Sequence, residues 1–81
     1  METGYVLLNL KPGMKRDFLT TVRKIQGVKE AHIVMGNWDA VAEVEAESID
    51  ALEKVYFNEI DRLLSISHSK LYIKACPRTR K

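Results

Sequence analysis

The stretch VKEAHIVMGNWDAVAEVEA, residues 28–46, contains two runs of alternating character separated by a glycine-asparagine corner. In the first run Ala31, Ile33 and Met35 occupy one face, and Glu30, His32 and Val34 the other. In the second, Ala40, Ala42, Val44 and Ala46 oppose Val41, Glu43 and Glu45. A period of two is the signature of a strand with one covered face, and two such runs around a tight corner make an antiparallel hairpin. Both runs put small aliphatic residues on the same side. That side expects a covering layer.

The flanking sequence supplies the cover. YVLLNL (Tyr5 to Leu10) is short and apolar and closes on Pro12-Gly13, which reads as a strand followed by a turn. From Met14 to Gln26 the apolar residues Met14, Phe18, Val22 and Ile25 recur at three- and four-residue steps, an amphipathic helix stopped by Gly27. Ser48 is placed to cap a second helix, whose stripe is Ile49, Leu52, Tyr56, Ile60 and Leu63. A final strand is expected from Ile66 to Ala75, ahead of Pro77. The order is β-α-β-β-α-β. Two split βαβ units of this kind give an α+β, ferredoxin-like fold, with an antiparallel four-stranded sheet and both helices on one face. The opposite sheet face carries Tyr5, Leu7, Val34 and Val41 beside Asn9, His32 and Glu43. Half-apolar surfaces of this sort mark interfaces, so the chain is expected to dimerise through Tyr5, Leu7, Val34 and Val41.

Composition limits the function classes. With 81 residues the chain holds one core, a single domain over residues 1–76. Residues 77–81 form a basic tail, expected to be disordered. No apolar run approaches the roughly 20 residues of a membrane span. Met1 is not followed by a signal-peptide pattern, so a cytoplasmic protein is expected. One cysteine, Cys76, excludes a disulfide framework and a cysteine zinc site. The net charge is +2, but Arg78, Arg80 and Lys81 account for it; without them the body has 10 basic and 11 acidic groups. A body without a basic surplus is not expected to bind duplex DNA specifically. The charges are nonetheless sorted, basic from Lys11 to Lys29 and acidic from Asp39 to Asp61, a pattern able to orient subunits or simply to be solvated.

No catalytic set emerges. His32 and His68 lack a third partner at ligand spacing, so no metal and no cofactor are expected. Asp39, Glu43 and Glu45 share a strand face but face no nucleophile. The corner Gly36-Asn37-Trp38-Asp39 admits two readings. It is a tight turn whose Trp packs against a neighbour, or a small polar cradle in which turn amides and a carboxylate hold a zwitterion walled by an indole.

The pieces YVLLNLKPG and IQGVKEAHIVMGNWDAVAEVEAES, with the spacing to the last strand, resemble the effector domain of the Lrp/AsnC transcription regulators, also called the RAM domain. The resemblance runs from about Tyr5 to Ala75, and its most specific part is the Gly-x-Tyr-Asp corner, here Gly36, Asn37, Trp38 and Asp39. Trp38 replaces the usual Tyr, and Leu71 stands where the family often has a threonine-rich stretch. The resemblance implies a dimeric α+β barrel, paired sheet to sheet and assembled further, up to an octamer of four dimers. It also implies a free amino acid as effector, contacted by Gly36, Asn37, Trp38, Asp39, Ser67 and Ser69. Only four residues precede Tyr5, so a stand-alone module without a helix-turn-helix is expected, able to co-assemble with a full-length regulator. The competing classes are a small dimeric α+β barrel enzyme and a structural assembly partner with no ligand.

Overall fold

The structure, a computed structural model, describes residues 1–74; the expected basic tail, Cys76 and the last residue of the expected fourth strand lie outside the described residues. The elements are β1 (Glu2–Leu10), α1 (Lys15–Val22), β2 (Val28–Ile33), β3 (Ala40–Ala46), α2 (Ile49–Val55) and β4 (Ile66–Ile73), with a π-helical turn, Tyr56–Ile60, prolonging α2. The sheet order is β2-β3-β1-β4 and every neighbouring pair is antiparallel. The ferredoxin-like α+β fold is therefore the one the alternation indicates. No helix of the described residues is long and apolar enough to cross a membrane.

Strand alternation divides the sheet cleanly. Val6, Leu8 and Leu10 of β1 and Ala40, Ala42 and Val44 of β3 are buried against Phe18, Val22, Leu52, Tyr56 and Ile60 from the helical layer. The small alanines of β3 let the helices approach closely. Gly4 does the same on β1, where an added Cβ would lie 2.8 Å from Leu52 Cδ2. The register pairs Tyr5 with Glu43 and Tyr72, and Leu7 with Val41 and Lys70, all on the face away from the helices. Tyr5, Leu7, Val34 and Val41 are each partly exposed in a single chain.

Three local expectations need correction. Helix α1 stops at Val22, because Lys24 and Ile25 donate to Thr21 and Val22 in tighter three-residue bonds before Gly27 turns the chain at φ +102°. Met35 does not continue the buried face of β2; the strand ends at Ile33 and Met35 is 99% exposed. The second helix buries Leu52, Tyr56 and Ile60 but leaves Ile49 46% exposed. Four-residue steps on an α-helix drift by about 40°. The wide turn closed by Asp61 N–H on Tyr56 O (2.7 Å) offsets this, keeping Tyr56 and Ile60 on the sheet side. Ser48 caps α2 as expected, its Oγ accepting from Ala51 N–H at 3.1 Å.

Candidate functional site

One end of the sheet gathers the C-terminal end of β1, the corner joining β2 to β3 and the start of β4. Here β1 passes into a turn in which Met14 N–H donates to Lys11 O (3.1 Å). Pro12 fixes the first central φ and Gly13, at φ +77°, takes the left-handed position that follows. Lys11 N–H donates to Ser65 O at 2.8 Å, tying the loop before β4 to the same end.

Asp39 organises the corner. Its carbonyl accepts from Val34 N–H, its own N–H donates to Leu8 O, and its Oδ2 accepts from Leu10 N–H, each at 2.9 Å. Between Val34 and Asp39 the chain bulges outward. Gly36 sits at φ +143° with open space where a Cβ would project, so its backbone angle is what calls for glycine. The amides of Gly36 and Asn37 find no acceptor among the described residues, and both residues are exposed. Trp38 is partly buried. The corner thus has a rigid root and a tip with free donors. A carboxylate has about four lone-pair positions, and Asp39 spends one oxygen on Leu10; Oδ1 carries no bond to the described residues.

The two serines of β4 part company. A bulge advances β4 by two residues while β1 advances by one, since Asn9 pairs with His68 but Leu10 with Ile66. Ser67 is the extra residue, and its hydroxyl donates to Asn9 O at 3.1 Å beside the corner. Ser69 lies opposite the buried Leu8 and points to the helical layer. There its Oγ bonds the Tyr56 hydroxyl (2.7 Å) and donates to Asp61 Oδ1 (2.9 Å). Leu71, opposite Val6, also faces the helices and packs against the core. The structure therefore brings the corner and Ser67 together at the end of β1, with the partly buried Ser69 on the helix-facing side of the sheet. The Tyr56–Ser69–Asp61 chain escaped the sequence analysis. Its only trace there is a tyrosine placed in the helix stripe, whose hydroxyl must meet a partner once buried.

The shifted ionisable groups lie on the open sheet face. Glu45 and then Glu43 raise the Lys29 pKa, with Lys29 Nζ 3.4 Å and 3.9 Å from their Oε2 atoms. A hydrogen bond from His32, 2.9 Å, holds the Glu30 carboxyl below its ordinary range. Among the described residues no three His, Cys, Asp or Glu side chains converge as a metal site. A groove of about 830 Å³ lies at the far end of the sheet, between the α1–β2 connection and α2. None of Gly36, Asn37, Trp38 or Asp39 lines it.

Comparisons with known proteins agree with this architecture. Residues 3–74 match the family model of the Lrp/AsnC ligand binding domain. An uncharacterized HTH-type transcriptional regulator of Pyrococcus furiosus is 26% identical over 70 residues, covering 83% of this chain and 47% of that protein. The chain thus spans about half the length of the curated relative it matches. A crystallised protein of Thermus thermophilus superposes with a TM-score of 0.88 at 21% identity, over 99% of this chain and 100% of its own. A transcriptional regulator of Neisseria meningitidis, crystallised as its complex with L-Met, gives a TM-score of 0.84 at 11% identity, over 98% of this chain and 53% of its own.

Proposed function

This chain belongs to the Lrp/AsnC ligand-binding domain family, and we propose that it is an amino-acid effector-binding and oligomerisation module. The observation that carries the reading is the corner itself. Asp39 is fixed by three hydrogen bonds while the amides of Gly36 and Asn37 stay unpaired at an exposed tip. Preorganised donors beside a carboxylate match a zwitterion: Asp39 takes the ammonium group, the two amides take the carboxylate, and Trp38 is the apolar wall. Ser67, adjoining through Asn9, is the contact from β4, and Ser69 supports that strand from within. The corner is too open to enclose a ligand alone, so a neighbouring subunit completes it. The Neisseria meningitidis regulator, similar in fold, was crystallised with an amino acid, which supports the ligand class.

Assembly begins with a sheet-to-sheet dimer through Tyr5, Leu7, Val34 and Val41, which offers up to an octamer of four dimers. Partners are other copies and a full-length regulator of the family in the cytoplasm; the module does not itself read duplex DNA and is no enzyme. A second reading, an assembly partner without a ligand, is favoured by one observation: Asp39 and Ser69 both make internal hydrogen bonds. A thermal-shift screen against the twenty amino acids separates the two. A ligand of the folded state raises the melting temperature by mass action. A rise with one or a few amino acids supports the effector module; no rise with any leaves the assembly partner.

A further inference from the structure

Helix α2 and the π turn that prolongs it leave one flank uncovered. On the β2 side Val55 lies against the Gly27 turn, and beneath the helix Leu52 and Leu71 of β4 meet over Gly4. Tyr56 reaches Ser69, also of β4. With about 3.6 residues per turn, Ile49 and Glu53 therefore project on the β4 side, with Asp50 and Phe57 beside them on the outer surface. Ile49 and Phe57 are exposed, although the Phe57 ring packs edge-on against Tyr56. Asp50, Glu53 and Phe57 line one shallow cleft. Neither carboxylate has a salt bridge among the described residues. Ile73, another exposed apolar residue, pairs with Gly4 below Leu52 and so stands at the foot of this flank.

The chain carries the complementary chemistry and delivers it to this place. Lys74 N–H donates to Thr3 O at 2.8 Å and Ala46 pairs with Glu2, so β4 ends at the end of the sheet where α2 begins. The residues that follow, Ala75-Cys76-Pro77-Arg78-Thr79-Arg80-Lys81, put a short uncharged stretch before three basic groups. Seven residues reach about 23 Å at roughly 3.3 Å each, against a rise of about 12 Å from Ile49 to Phe57. We propose that residues 75–81 dock on the α2 flank of their own chain. Ala75 and Pro77 then lie against Ile73 and Ile49, the basic groups meet Asp50 and Glu53, and an arginine covers the face of Phe57. Exposed ion pairs are individually weak, but a tethered segment meets its site at an effective concentration of about millimolar. The strap covers the outer side of the helical layer. It leaves free both the open sheet face and the Asp39 corner at the opposite end.

The test is paramagnetic broadening of amide NMR signals in the full chain. Cys76→Ser with Thr79→Cys accepts a single nitroxide and keeps all three basic groups of the tail. The amides of Glu53 and Phe57 are expected to lose most of their intensity, while those of Lys15 and Arg16 on α1 keep theirs. The loss is expected to be reversed in about 1 M salt, where the screening length is about 3 Å. It is also expected to be reversed by Asp50→Asn with Glu53→Gln, exposed changes that leave the core intact. Broadening spread evenly over exposed amides, or unmoved by salt and by neutralisation, would overturn the docking. Mixing isotope-labelled chains that lack the nitroxide with nitroxide-bearing chains that lack the isotope reads contacts between copies. Full broadening of Glu53 and Phe57 in that mixture would assign the tail to a neighbouring copy and overturn docking on its own chain.

Discussion

Asp39 and Ser67 hold opposite ends of one peptide group. The N–H of Leu10 donates to Asp39 Oδ2 at 2.9 Å, and the Ser67 hydroxyl donates to the carbonyl of Asn9 at 3.1 Å. Two residues far apart in sequence thus clamp the last peptide of β1 from its two sides. Asp39→Ala leaves a partly buried N–H without its acceptor and is expected to cost about 1–3 kcal/mol. Ser67→Ala, at an exposed position, is expected to cost less than about 1 kcal/mol. Urea denaturation at one fixed protein concentration compares them; equal stabilities for Asp39→Ala and wild type would refute the clamp.

The Tyr56 hydroxyl and Ser69 are coupled. Tyr56 is buried and its hydroxyl bonds Ser69 Oγ at 2.7 Å. Ser69→Ala strands the phenol and is expected to cost about 1–2 kcal/mol. Adding Tyr56→Phe to Ser69→Ala should cost little further, since the unpaired group is then gone. A double-mutant cycle measures the coupling, and additive losses would contradict it.

Two glycines with positive φ should respond differently to alanine. At Gly27, φ +102°, a Cβ would lie 3.3 Å from both Glu45 O and Val55 Cγ2. At Gly13, φ +77°, it meets nothing within 4 Å. Gly13→Ala carries only the left-handed strain, about 1 kcal/mol, whereas Gly27→Ala adds crowding. Thermal melts should rank Gly27→Ala below Gly13→Ala, and the reverse order would count against the packing of α2 on this connection.

The Glu30–His32 contact fixes the sign of one pH effect. Because His32 lowers the Glu30 pKa in the folded chain, the contact stabilises above the ordinary Glu value and is lost as pH falls through the folded one. Lys29 behaves oppositely: its raised pKa means that the contribution of its charge is present at neutral pH and is lost as pH rises through the folded value. An NMR titration should find the Glu30 midpoint below that of the same group in His32→Ala. Identical midpoints would show that the contact is absent in solution.

The fold was legible because its signals are periodic. Alternation from Ala31 to Ala46 and the four-residue steps from Leu52 to Ile60 follow from burying one face of each element. The glycine-asparagine corner announced the hairpin in the same way. What alternation does not encode is a change of count. The bulge at Ser67 comes from its pairing with β1, so Ser67 and Ser69 look equivalent in sequence while one turns to the corner and the other to the helical layer. Met35 continued the pattern of β2 on paper, but Asp39 closes the ladder at Val34 and leaves Met35 outside. The carboxylate of Asp39 stood out as a candidate from its place beside Trp38. Its bond to Leu10 could not be read from sequence, because it joins residues brought together only by strand order.

The corner as an amino-acid site is tested most directly by calorimetric titration of the assembled wild type and of Asp39→Asn with each of the twenty amino acids. Asparagine keeps an oxygen to accept from Leu10 N–H, so the corner retains its shape while losing its charge. The expected result is that at least one amino acid binds the wild type and that Asp39→Asn binds it on the order of tenfold or more weakly, with the oligomer unchanged. Equal binding by Asp39→Asn, or no binding of any amino acid to an intact oligomer, would contradict the account.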